Sequence, residues 1–111
     1  MTSAGSNEGG TVLELVVFRA KEGVTRERLL GTVDAVSEWA RAQPGFVSRD
    51  LTYDAAGDRW VEMIWWTSTA DAEASVKAAE TSDLCAPMFA LIDPESMLFL
   101  HGVPQIERVV A

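Results

Sequence analysis

Two stretches of the chain are apolar on both alternating faces, and that pattern constrains the rest. Val12 to Lys21 is β-branched and of strand length. Arg59 to Thr67 holds Trp60, Trp65 and Trp66 in one short run. Strands apolar on both sides are covered on both, so these two are expected to be central and adjacent. Phe46 to Tyr53 alternates instead. Val47, Arg49, Leu51 and Tyr53 share one face, and Ser48, Asp50 and Thr52 share the other. That is a half-buried pattern of edge type. A fourth strand is expected from Met97 to Val103, ended by Pro104.

The remaining periodicity is helical. Thr25 is a suitable N-cap with Glu27 in the first turn, and Leu29, Val33, Val36 and Ala40 then recur at helical spacing through Gly31. Gln43-Pro44-Gly45 stops this helix. Ser68 or Thr69 is expected to cap a second helix whose inner positions, Ala72, Val76 and Ala79, are all small or short. Asp83 is expected to cap a short helical piece reaching Ile92. Asp54 to Asp58 forms a hairpin loop, with Gly57 in reach of a positive-φ position.

The order is β-α-β-β-α-β. Right-handed crossovers in two split βαβ units give an α+β ferredoxin-like sandwich, a four-stranded antiparallel sheet with helices on one face. The other face is too apolar to be left to water. A second copy packed sheet against sheet is the simplest cover, so a homodimer is expected.

Composition narrows the partners. The chain has 111 residues and 48% apolar content, enough for one domain over 11–111. Residues 1–10, rich in Gly and Ser, read as a disordered tail without the basic start or apolar run of a signal peptide. A formal net charge of −8 argues against nucleic acid and anionic membranes. No apolar run reaches the roughly 18 residues needed to span a bilayer. The single cysteine, Cys85, has no internal disulfide partner, which suits a reducing cytoplasm.

Two short motifs carry a resemblance. Gln43-Pro44-Gly45-Phe46 between first helix and second strand, and Trp66-Thr67-Ser68 followed by Ala72, resemble the antibiotic biosynthesis monooxygenase domain, a dimeric α/β-barrel family. The resemblance covers about residues 12 to 104. It implies the same sandwich, and an activity such as cofactor-independent oxidation of polycyclic phenols to quinones. The haem-degrading branch of the family uses an asparagine on the first strand, a tryptophan in the second helix and a histidine after it. Here Asn7 is the only asparagine, the second helix has no tryptophan, and Leu84 to Phe89 holds no histidine. The resemblance therefore points away from haem, and no cofactor is expected. The glutamate that many members place two residues before the strand tryptophan is Ile64 here.

Several residues could carry such chemistry. His101, the only histidine, falls mid-strand in a row with Met97, Phe99 and Val103. It could take a phenol proton near neutral pH, or be a satisfied core histidine. Glu14 and Glu62 interrupt apolar strands. A buried carboxylate is a candidate base, while one at the rim or paired with Arg49 or Arg59 is not. Trp60 and Trp66 share a face with Glu62 and Ile64, opposite Trp65. They could wall a pocket for a flat ligand or simply pack. Arg49 and Tyr53 could hydrogen-bond an oxyanion. Cys85, near the start of a helical piece, could be a stabilised thiolate or inert. One histidine without spaced companions predicts no metal site. An oxygenase and a non-catalytic module binding a small apolar ligand both remain open. An empty cavity with two convergent polar groups separates them.

Overall fold

The computed structural model describes residues 11–111. The expected disordered tail, with Asn7, lies outside the described residues. Four strands, β1 (Val12–Phe18), β2 (Phe46–Asp54), β3 (Arg59–Trp66) and β4 (Leu98–Gly102), form one antiparallel sheet in the order β2-β3-β1-β4. The two strands apolar on both faces are the central pair. The expected α+β ferredoxin-like sandwich is the observed fold.

The first helical segment is two helices, α1 (Arg26–Leu30) and α2 (Val33–Arg41). Gly31 and Thr32 interrupt what the periodicity joins: Gly31 costs about 1 kcal/mol inside a helix, and Thr32 Oγ1 donates back to the Leu29 carbonyl at 2.6 Å. Leu29, Val36 and Ala40 still share the buried stripe, while Leu30 faces out. Thr25 caps α1 by accepting from the Arg28 amide. Ser68 caps α3 (Thr69–Glu80) by accepting from the Asp71 amide.

A short helix, α4, covers Ala86–Phe89. Its lead-in is held by Ser82, whose hydroxyl accepts from the Leu84 and Cys85 amides, and not by Asp83. In the β2–β3 hairpin the positive φ falls on Asp58 (51°) and not on Gly57.

Helix α2 ends in the Pro44-Gly45 turn, where Gly45 adopts φ 81°. A side chain there would collide with Asp71. The Gly45 carbonyl accepts from the Thr67 amide at 2.8 Å, so this turn is fastened to the β3–α3 junction. The strand beyond it contains a bulge between Phe46 and Ser48. Val47 is therefore turned out, while Phe46 joins Arg49, Leu51 and Tyr53 on the helix-facing side. Strict alternation had placed Val47 there.

Side chains of β1 and β3 sort cleanly. Val12, Glu14, Val16 and Phe18, with Trp60, Glu62, Ile64 and Trp66, face the helices and are buried. Leu13, Leu15, Val17, Val61, Met63 and Trp65 face the other way and are half-covered. No element among the described residues covers this open face, which continues through Leu98 and Leu100 of β4. No described helix is long and apolar enough to cross a membrane.

Candidate functional site

The helix-facing side of the sheet is a set of rungs, one residue from each strand. One rung reads Arg49–Ile64–Glu14–His101, and the next reads Leu51–Glu62–Val16–Phe99. Consecutive rungs on one face lie about 7 Å apart. The pairing thus gathers the two interrupting carboxylates, the histidine and Arg49 into one patch. Trp66 sits one rung to one side of it. Trp60 and Tyr53 sit one rung beyond Glu62 on the other side.

Glu14 is the centre of the patch. Its Oε1 accepts from the Trp66 indole N–H at 3.2 Å, and His101 Nε2 lies 3.5 Å from the same oxygen. His101 Nε2 is buried and makes no formed hydrogen bond, being too far or too oblique for one. Burial raises the Glu14 pKa above the ordinary 4.5. His101 pulls it back and the nearby Glu62 raises it further.

Glu62 is held differently. Arg49 Nη2 donates to its Oε1 at 2.7 Å, with only 4% of the Arg49 side chain and 11% of the Glu62 side chain exposed. Arg49 Nη1 donates to Ser37 Oγ at 2.7 Å and to the Val33 carbonyl at 3.0 Å. The guanidinium is thereby fastened to α2 as well as to β3.

Both carboxylates line a cavity of about 540 Å³ between the sheet and the helices. Its walls are almost wholly apolar. Val16, Phe18 and Ile64 form the sheet side, Val36 and Trp39 come from α2, and Val76 and Ala79 come from α3. Cys85, Met88, Phe89, Met97 and Phe99 add to the apolar lining, and Lys21 and Glu80 border it as exposed residues. This exceeds the roughly 300 Å³ at which small-molecule sites begin.

The expected site residues divide. Glu62 lines the cavity, and His101 reaches it through Glu14. Trp66, expected as a wall, is fully buried behind Glu14 against Val12, Ile64 and Ala72, with Phe46 edge-on at 5.8 Å. Burying such a side chain contributes roughly 2–3 kcal/mol. Trp60 packs on Tyr53, ring centroids 4.8 Å apart, and does not reach the cavity. Tyr53 donates its hydroxyl to Asp58 at 2.6 Å under the Arg26 guanidinium, away from the carboxylates. Arg49 spends its Nη donors inside the protein, so the expected oxyanion contact is replaced by a buried ion pair.

Cys85 is wholly buried. Desolvation pushes its thiol pKa up, so it is no activated thiolate. Among the described residues no group of three or more His, Cys, Asp or Glu could hold a metal ion. Trp39, Met88 and Phe99 were missed as cavity residues. Their sequence signal was the ordinary one for core.

No family model and no curated protein matches this chain. Solved structures do. A protein from Bordetella bronchiseptica named as a candidate antibiotic biosynthesis monooxygenase aligns over 87% of this chain and 99% of its own, with a TM-score of 0.73 at 11% identity. SnoaB, a cofactor-independent oxygenase from Streptomyces nogalater, aligns over 91% and 97%, with a TM-score of 0.64 at 15% identity. A dimeric ferredoxin-like protein of unknown function from Thermobifida fusca aligns over 87% and 93%, with a TM-score of 0.69 at 13% identity. At these identities the likeness is one of fold. The chain has the architecture of structures named for antibiotic biosynthesis monooxygenases, as the two short motifs implied.

Proposed function

We propose that this protein is a homodimeric, cofactor-independent monooxygenase acting on a small apolar molecule with an acidic O–H or C–H, such as a hydroxy-aromatic. The observation that carries the reading is the apolar cavity with Glu14 and Glu62 converging on it. Such a reaction needs a base, a dry enclosure and an electron-rich substrate. Glu14, with its pKa raised by burial, removes the proton, and His101 beside it receives or shares that proton. Trp66 fixes the Glu14 carboxyl in place, and Arg49 fixes Glu62. The substrate anion then reduces dioxygen. The substrate loses two hydrogens, one of them from the reacting carbon and the other as the acidic proton, the carbon gains one oxygen atom as a carbonyl, and the second oxygen leaves as water.

The open sheet face supports the dimer. Leu13, Leu15, Val17, Met63 and Trp65 form a continuous apolar surface that a second copy would bury. The Thermobifida neighbour of the same fold is named as dimeric. A single, buried, unpaired cysteine suits the reducing cytoplasm.

The test is oxygen uptake with a panel of polycyclic phenols. Wild type is expected to consume oxygen, and Glu14→Gln or His101→Ala to lose about 100-fold or more while remaining folded. No uptake anywhere in the panel, or unchanged rates in both variants, defeats the enzymatic reading. A second reading, a non-catalytic dimeric binding or accessory module, is favoured by one fact: Arg49, the cation nearest the carboxylates, is already spent on Glu62, Ser37 and Val33. That reading expects ligand binding without oxygen consumption.

A further inference from the structure

The side-chain oxygens at the inner end of the cavity are all acceptors. Glu14 and Glu62 each have one oxygen engaged, Oε1 in both cases. Among the described residues neither Oε2 receives a hydrogen bond. Ser75, the other inner polar residue of the lining, donates its hydroxyl to the Ala72 carbonyl at 2.7 Å. Its oxygen is therefore left as an acceptor.

The cations are either spent or exposed. Arg49 faces Glu62, Ser37 and Val33 and is not part of the lining. Lys21 is exposed, and Glu80 is exposed on the same lining. Trp39 supplies only a neutral N–H. An anion entering this space would meet two carboxylates, with the Arg49 guanidinium turned to Glu62 and His101 set beside Glu14, in surroundings that screen charge far less than water does. A ligand offering an O–H or N–H would fill the vacant acceptor positions, whereas one without a donor would cut them off from water, which is costly.

We propose that the inner end of the cavity is an acceptor surface that rejects anions and selects uncharged apolar ligands carrying a hydrogen-bond donor. This rests on the reading of the cavity as a ligand site. It separates molecules of equal size and shape by charge alone.

The experiment is a matched pair titrated into the full-length protein at pH 7.5: 2-naphthol, uncharged there, and 2-naphthoate, an anion of nearly the same shape. Isothermal titration calorimetry reports binding, since both naphthalenes absorb and emit in the tryptophan range. 2-Naphthol is expected to bind at least about tenfold more tightly than 2-naphthoate, with the discrimination shrinking in Glu14→Gln. Equal affinities, or tighter binding of the naphthoate, overturn the proposal and leave the ligand site standing. Binding of neither overturns the ligand-site reading, and the proposal with it. The wild-type comparison alone decides, so a poorly folding variant would not obscure the result.

Discussion

Arg49→Met is the most informative single change. It removes a guanidinium that is almost completely buried and leaves the Glu62 carboxylate without its 2.7 Å partner. It also strips Ser37 Oγ and the Val33 carbonyl of a donor. Breaking a buried pair from one side costs about 3–5 kcal/mol, because the surviving charge stays desolvated. In a domain whose whole stability is about 5–15 kcal/mol, that is a large share. At roughly 4–8 °C per kcal/mol, the lower bound lowers the melting temperature by about 12–24 °C. The double variant Arg49→Met, Glu62→Leu removes both charges and fills similar volume, so most of the loss returns. Urea unfolding followed by tryptophan fluorescence, at one fixed protein concentration, measures both variants. A single variant within about 1 kcal/mol of wild type would show that the pair is not buried in solution. A double variant no more stable than the single would show that the cost was not electrostatic.

Three other outcomes follow from the same geometry. The raised Glu14 pKa means the folded state holds that proton more tightly than the unfolded chain does. This contribution is complete below the ordinary 4.5 and is lost as pH rises through the folded value. Glu14→Gln is therefore expected to gain stability relative to wild type as pH climbs above about 4.5, and parallel pH profiles would refute the burial argument. Met63→Arg places a charge in the middle of the open sheet face, so sedimentation is expected to show a monomer. An unchanged assembly would mean that the copies meet through another surface. Trp66→Phe keeps most of the packing but removes the indole donor to Glu14, with an expected loss of about 1–3 kcal/mol by unfolding; no loss would mean the bond is not formed.

The fold was legible because its signals are local and repeated. Apolar runs on both faces of β1 and β3 fixed the central pair, and Thr25 and Ser68 announced their helices as caps do. The site was half legible. Glu14 and Glu62 stood out as polar interruptions, and strand parity separated Trp65 from Trp60 and Trp66. Both faces of the central strands were largely apolar, however, so nothing in the sequence said which met the helices. The small residues of α3 carried the same ambiguity, and the structure resolves it both ways. Ala72 packs under Trp66, while Val76 and Ala79, one and two turns on, border empty space. The ion pair of Arg49 with Glu62 was visible only as one pairing among several, because strand register decides it.

The bulge in β2 settles a matter of parity. Residues on one face of a strand are separated by even numbers of positions, yet Phe46 and Arg49 are three apart and both point at the helices. Phe46 must stay opposite Trp66, since the Pro44-Gly45 turn is fastened there, and Arg49 must reach Glu62. Only an odd residue discarded between them satisfies both, and Val47 is that residue. The bulge thus works as a phase corrector. It lets the turn and the buried charge be positioned independently, and it keeps the rest of β2 in step with its neighbour. Shortening the chain by Val47 would restore plain alternation and leave both anchors in place. Adding one residue between Ser48 and Arg49 would invert everything downstream and carry the guanidinium to the opposite side of the sheet.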